Sequence, residues 1–172
     1  HSAEKVGFIP ANQGMNATSM LSESSKAFLL TDVDCDYDFF NPKLALDLFN
    51  KGDVFVVSLT SFEDESTLLS ADVILPMASF YETSGTHINF DGIAQSFSAS
   101  VKSPGESKPG WKIIKVMADL LELEGFDFID SSQVAEEALL SSKAQTNIDG
   151  SNAQSFEDSD IATLWQYAPY AI

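Results

Sequence analysis

Basic side chains, cysteine and histidine are scarce in this 172-residue chain. Nine Lys and Arg residues stand against 26 Asp and Glu residues, which gives a formal net charge of -17. A chain this acidic is repelled by phosphate groups, so binding to nucleic acid or to an anionic membrane surface is unfavourable. The charge is typical of a soluble cytoplasmic protein or of a subunit that meets a basic partner.

The single cysteine, Cys35, excludes an internal disulfide. It also excludes an iron-sulfur cluster held by this chain alone, since such clusters usually take four thiolates. With His1 and His87 as the only histidines, a zinc site is not expected. The longest apolar runs, such as Val54–Val57, are strand-sized, so we predict no membrane insertion. The N-terminus lacks the pattern of a signal peptide.

The first half of the chain alternates short apolar runs with helical patterns. Asn41 and Pro42 favour a helix start, and Gly52 after the helix would end it. Leu44, Leu48 and Phe49 would share one face of this helix. The predicted elements are a strand at Lys26–Thr31, this helix, a strand at Asp53–Leu59, a helical turn at Asp64–Leu69 and a strand at Ala71–Pro76. This order predicts an α/β fold, a Rossmann-like and mostly parallel sheet with flanking helices.

The second half is less regular. Residues 77–103 show little periodicity apart from a small strand near Gln95–Val101. A helix is predicted at Trp111–Leu123, ended by Gly125, and a second helix at Ser131–Leu140. The apolar stripe of the first helix is interpreted as core packing; it comprises Ile113, Ile114, Met117, Leu120 and Leu121.

The C-terminal stretch is predicted to contain a loop and an apolar tail. Lys143–Asp160 is predicted to be a mobile loop, and the apolar tail Ile161–Ile172 suggests that the natural chain continues. We divide the chain into an α/β lobe over residues 1–128 and a C-terminal part over residues 129–172. The second part, with its helix, loop and truncated apolar tail, is expected to belong to the same domain.

An acidic loop follows the first predicted strand, with Asp32, Asp34, Asp36 and Asp38 at alternate positions. Alternating carboxylates also begin a calcium loop of the EF-hand type. That template requires glycine where Tyr37 stands and a bidentate Glu where position 43 is Lys. We therefore expect no metal, although a calcium-dependent interaction module remains an alternative. At the carboxyl end of a parallel strand, the loop is a candidate contact surface.

Motifs for independent catalysis are missing. The chain has neither a glycine-rich phosphate loop nor a G-x-S-x-G nucleophile elbow. His87 could pair with Glu82 or Asp91 as a base, but a lone histidine in a loop is more often structural or exposed. We predict no catalytic residue in this chain.

One stretch carries a family pattern. Residues 70–95 resemble the molybdopterin oxidoreductase superfamily, in which A-D-V-V-L-P is followed by a Glu, G-T, an Asn and E-G-R-x-Q. The matching residues are Ala71, Asp72, Val73, Leu75, Pro76, Glu82, Gly85, Thr86, Asn89, Gly92 and Gln95. Asp91 replaces the Glu, and Ile93 replaces the Arg, whose guanidinium could bind the phosphates of a pterin dinucleotide.

Residues 104–128 are similar to one branch of that superfamily, the large iron-sulfur subunits of NADH-quinone oxidoreductase, respiratory complex I. The resemblance implies a molybdoenzyme-like lobe without a molybdenum cofactor. It also implies iron-sulfur clusters in a separate N-terminal part of the full subunit. Expected partners are the rest of that large subunit and other hydrophilic-arm subunits of complex I, at the cytoplasmic face of a bacterial inner membrane.

The resemblance therefore implies a non-catalytic structural and assembly domain. In that family the whole complex passes electrons from NADH through clusters held elsewhere to quinone, coupled to proton translocation. The alternative is a cofactor-binding lobe of an active molybdopterin enzyme such as a formate dehydrogenase. Vestigial pterin-site positions would be Gly85, Thr86, Asn89 and Gln95. The favoured interpretation is that the first three hold an irregular turn together through side-chain to backbone bonds.

Overall fold

The computed structural model describes residues 6–10, 14–22, 25–89 and 92–145, with side chains to residue 140. A 3-10 turn, Phe80–Glu82, lies between the third and fourth strands. In chain order the other elements are α1 (Ala17–Ser22), β1 (Ala27–Thr31), α2 (Pro42–Phe49), β2 (Phe55–Thr60), α3 (Glu65–Ser70), β3 (Val73–Pro76), β4 (Gly85–Ile88), β5 (Ala94–Phe97), α4 (Gly110–Leu120) and α5 (Ser131–Gln145).

Strands β1, β2 and β3 form a parallel sheet in the order β1-β2-β3. Leu29 pairs with Val57, which pairs in turn with Val73. The α/β prediction is confirmed, and the three predicted strands lie within about two residues of their observed limits. A nucleotide crevice in such sheets needs a reversal of strand order, and the three strands described here have none.

The core lies on one face of this sheet, where α2 packs. It consists of Leu30, Cys35, Ala45, Phe49 and Val56. The ring of Phe49 contacts those of Phe28 and Phe39 edge-on, at centroid distances of 5.1 and 5.9 Å. These contacts add to the burial of large apolar rings.

The N-terminus of α2 is as predicted: the Asn41 side chain accepts a hydrogen bond from the Leu44 amide. Of the three residues predicted to share one face, Phe49 is buried, Leu48 is half-buried and Leu44 is exposed. Ala45 is fully buried. The helix turns its smallest residue toward the sheet, which permits a close approach of the two backbones. Gly52 follows with a φ of +73°, a left-handed conformation that suits glycine at a helix end.

The opposite face of the sheet carries exposed apolar side chains on all three strands, Leu29, Phe55 and Val73. Parallel sheets are normally covered on both faces. Within the described residues this face is only partly covered, since Leu59 near the carboxyl end of β2 is fully buried.

Residues 77–103 are more regular than predicted, because β4 and β5 pair as an antiparallel hairpin. The predicted strand near Gln95–Val101 is shorter, ending at Phe97. A single parallel bridge between Met77 and Lys108 then returns the chain to the outer edge of β3.

The core interpretation of the α4 stripe is wrong for its last two residues. Ile113, Ile114 and Met117 are half-buried, but Leu120 and Leu121 are 79% and 66% exposed. The helix ends at Leu120, and Glu122 takes a φ of +55°. The chain therefore changes direction at the point where these two side chains would continue the apolar stripe.

The helix predicted at Ser131–Leu140 is confirmed as α5, which runs on to Gln145. The first three residues of the predicted loop at Lys143–Asp160 are therefore helical, while its remainder and the tail Ile161–Ile172 lie outside the described residues. The division between residues 128 and 129 stays a prediction. None of the helices in the described ranges has the length and apolar character needed to cross a membrane.

Candidate functional site

The loops that follow β1 and β2 meet at the carboxyl edge of the parallel sheet. The Asp32 amide donates a hydrogen bond to the Leu59 carbonyl at 2.7 Å, and the Ser61 amide donates to Oδ1 of Asp32 at 3.4 Å. Asp32 has a φ of +52°, a conformation that aspartate tolerates better than most residues. The sequence-based expectation that the acidic loop lies at this edge is confirmed.

The carboxylates of the acidic loop accept hydrogen bonds from the loop's own amides. Oδ1 of Asp34 accepts from the Asp36 amide at 2.9 Å, and Oδ2 of Asp38 accepts from the Asp34 amide at 2.7 Å. This is a structural use of aspartate, which commonly bonds to backbone nearby in the sequence. No cluster of three or more potential metal ligands occurs among the residues with described positions. A calcium-dependent interaction module stays a prediction.

Cys35 lies beneath this edge and is only 1% exposed. The pKa of its thiol is raised from 9.0 to about 11, first by burial and then by nearby negative charges. Those charges come from both loops, Asp64, Asp34, Asp36 and Asp38. The thiol is thus protonated at neutral pH, which disfavours nucleophilic chemistry.

Asp64 begins α3 and anchors the second loop. Its carboxylate accepts hydrogen bonds from the backbone and hydroxyl of Thr67 and from the hydroxyl of Ser66. Burial acts to raise the pKa of Asp64, but these hydrogen bonds together outweigh it and hold the pKa below its ordinary value. The short helix buries its Ser and Thr side chains and exposes Leu68 and Leu69.

Aromatic side chains are exposed after each of the three strands. Tyr37 follows β1 and is 65% exposed, Phe62 follows β2 and is 75% exposed, and Tyr81 follows β3 and is 68% exposed. These exposed rings were not predicted from the sequence. The available signal was an aromatic residue within a few positions of each strand end, beside carboxylates.

The suggested pterin-site positions lie on the β4–β5 hairpin, where three of them have structural contacts. The Thr86 hydroxyl bonds to that of Ser96 at 2.9 Å, and Oδ1 of Asn89 accepts from the Ile93 amide at 2.8 Å. A Cβ on Gly85 would lie 3.0 Å from the Phe97 ring, so this glycine admits close packing of the ring.

The remaining positions point to no shared site. Gln95 is exposed and pairs with His87 across the hairpin. The His87 ring stacks on that of Phe97 at 4.9 Å, while the Glu82 carboxylate accepts a hydrogen bond from the Ser79 amide within its own turn. Asp91, the other suggested partner of His87, lies outside the described residues. His87 has an aromatic packing role.

A cavity of about 360 Å³ lies between β4, Trp111 and α5. Gly85 and Thr86 line it, but Asn89 and Gln95 do not, and its lining includes no lysine. The chain contains no arginine at all. A pterin dinucleotide carries phosphates that need cationic or convergent amide donors. The residues around this cavity do not fit such a cofactor.

Comparisons with known proteins give the family context. A family model described as molybdopterin oxidoreductase matches residues 1–120. The F420-dependent formate dehydrogenase 1 subunit alpha of Methanococcus maripaludis is 35% identical over 94 residues, which are 54% of this chain and 13% of that protein.

Two mitochondrial NADH-ubiquinone oxidoreductase 78 kDa subunits are also similar. The Candida albicans protein is 41% identical over 51 residues, 30% of this chain and 7% of that protein. The Neurospora crassa protein is 28% identical over 110 residues, 62% of this chain and 14% of that protein. The chain thus spans a small part of the length of each relative.

Proposed function

Since the chain belongs to the molybdopterin oxidoreductase family, we propose that it is a non-catalytic structural and assembly domain of the large iron-sulfur subunit of an NADH-quinone oxidoreductase, complex I. The similarity to two NADH-ubiquinone oxidoreductase 78 kDa subunits supports this assignment. The proposal that the domain is non-catalytic rests on one structural observation. The sheet edge at which related folds bind ligands is lined here by carboxylates, which repel phosphate.

The hairpin supports the same proposal. Thr86 and Asn89 make their hydrogen bonds inside the hairpin, and Ile93 stands where the family pattern has arginine. In this proposal the iron-sulfur clusters belong to other parts of the subunit. The domain contacts the rest of the subunit and neighbouring hydrophilic-arm subunits, at the cytoplasmic face of a bacterial inner membrane.

A second candidate is a cofactor-binding lobe of an active molybdopterin enzyme. It is favoured by the 35% identity over 94 residues to a formate dehydrogenase alpha subunit, which is higher than the 28% identity over 110 residues to the Neurospora crassa subunit. The absence of arginine from the chain and the lack of lysine in the cavity lining disfavour it.

A capture experiment separates the two candidates. The full chain is immobilised, and a detergent extract of membranes from a bacterium bearing complex I is passed over it; retained proteins are identified by mass spectrometry. We expect hydrophilic-arm subunits of complex I to be retained. An extract from a strain lacking complex I is the control. Retention of formate dehydrogenase subunits, or fluorescence of an oxidised pterin in the purified chain, would contradict the proposal.

A further inference from the structure

The carboxyl edge of the parallel sheet combines exposed aromatic rings with carboxylates on neighbouring loops. We use the name acidic aromatic edge for the exposed rings and carboxylates of residues 32–38, 61–65 and 79–82. Its exposed rings are Tyr37, Phe62, Phe80 and Tyr81. Exposed apolar groups that lie close together mark interaction surfaces more often than single exposed residues do.

The edge is continuous because the strands that lead to it are hydrogen-bonded neighbours. Asp32 joins the first two loops through Leu59 and Ser61. The third loop begins directly after β3, where the Phe80 ring packs against that of Tyr81 at 5.3 Å. The loops that carry these rings therefore leave adjacent strands of one sheet at the same edge.

Several carboxylates at this edge remain available to a partner. Within the described part of the chain, the side chains of Asp36, Glu63 and Glu65 have no hydrogen-bond or ion-pair partner. All three are exposed. A cationic side chain that approaches one of them would be attracted without displacing a partner that the described residues provide.

The negative charge and the aromatic rings of the edge indicate which kind of partner it can bind. An anionic ligand is repelled, and a second copy of this chain, also at -17, would be repelled as well. Arginine and lysine can pair with carboxylates while lying over aromatic faces. We propose that the acidic aromatic edge is a docking surface for an arginine- and lysine-rich segment of a partner protein.

This inference rests on the proposed assembly role, for which it names the chemistry of the partner. The test uses the full chain labelled with ¹⁵N and, as probe, a short synthetic arginine-rich peptide. A matched peptide carries citrulline, which has nearly the same shape but no charge, at each arginine. Binding is followed by amide chemical shifts at low and at physiological salt.

We expect the arginine peptide to shift amides of residues 32–38, 61–65 and 79–82, and the citrulline peptide to leave them unchanged. Phe62→Ser should weaken binding by roughly three-fold, the size of an exposed cation–π contact. Phe55→Ser removes an exposed ring from the amino end of the same strand and should leave binding unchanged. Thermal unfolding confirms that each variant is folded.

The connector after α4 provides an internal comparison, because it carries Glu122, Glu124 and Asp127 but its aromatic residues are half-buried. Equal shifts in this connector, or an unaltered affinity of Phe62→Ser, would overturn the inference by reducing it to general charge attraction. If Phe62→Ser captured complex I subunits as well as the unchanged chain does, the docking surface would be overturned while the proposed function would stand. Peptide binding at the edge without such capture would overturn the proposed function alone.

Discussion

Cys35 is the residue at which the apolar core meets the acidic edge of the sheet. Its side chain belongs to the same buried cluster as Phe49 and Val56, yet four carboxylates raise the pKa of its thiol through their charge. Burial is the larger cause of that raised pKa. A neutral thiol suits this position, because a thiolate would lose its hydration and face like charges.

Alkaline pH is expected to destabilise the protein through this thiol. Because the pKa rises from 9.0 to about 11 on folding, the folded state binds more protons than the unfolded state between these values. The free energy of unfolding therefore falls as pH rises from about 9 to about 11, by up to ~3 kcal/mol at 1.36 kcal/mol per pKa unit. Urea unfolding across this range measures the fall.

Cys35→Ala is the matched control. This variant loses packing at every pH. Its free energy of unfolding should decrease much less above pH 9 than that of the unchanged protein, since alanine does not titrate. Equal slopes in the two proteins would show that lysine and tyrosine titration, rather than the buried thiol, causes the alkaline loss.

At the scale of elements, one carboxylate completes the hydrogen bonding between β2 and the residue that precedes β3. Oδ2 of Asp72 accepts a hydrogen bond from the Val56 amide at 2.7 Å, and the Asp72 amide donates to the Val56 carbonyl at 2.9 Å. Val56 is fully buried, and β3 begins only at Val73, after Asp72. Without the Asp72 carboxylate the Val56 amide would therefore lack a hydrogen-bond partner. This gives the aspartate of the A-D-V-I-L-P stretch a structural role.

Asp72→Ala should lower the free energy of unfolding by about 1–3 kcal/mol, because it leaves a buried amide unsatisfied. Asp72→Asn retains an oxygen acceptor at the same position and should cost less. Urea unfolding of both variants at pH 7 provides the comparison. If Asp72→Asn lost as much stability as Asp72→Ala, the negative charge rather than the hydrogen bond to Val56 would be the stabilising feature.

At the scale of the whole molecule, charge repulsion opposes the association that its apolar surface favours. Among the described residues, exposed apolar side chains lie on the sheet face opposite α2 and at the end of α4; they include Leu29, Phe55, Val73, Leu120 and Leu121. Contacts between such surfaces release water and favour association. The net charge of -17 repels a second copy over a distance set by salt.

The isolated chain should therefore be more associated at high salt than at low salt. The Debye length shrinks from roughly 30 Å at 0.01 M to roughly 3 Å at 1 M, which removes the repulsion and leaves the apolar attraction. Light scattering during size-exclusion chromatography at several salt concentrations measures the mass. Replacing both Leu120 and Leu121 by Ser should reduce the association. A mass that falls as salt is added would contradict this balance.

The sequence by itself determined where most elements begin and end, because the relevant chemistry is local. Asn41 and Pro42 predicted the start of α2, and short apolar runs predicted the parallel strands. The family pattern indicated Gly85, Thr86, Asn89 and Gln95 as vestigial pterin-site positions. The alternation of strand and helix located the acidic loop at the sheet edge.

Only the tertiary structure decided which side chains those elements bury and which they expose. Ala45 faces the sheet in place of Leu44, and Leu120 remains in solvent, because burial depends on which distant element approaches. The bonds of Thr86 to Ser96 and of Asn89 to Ile93 require the pairing of β4 with β5, which no local pattern specified. The gathering of Tyr37, Phe62 and Tyr81 at one edge likewise follows from strand pairing, since residues far apart in sequence become neighbours only when the sheet forms.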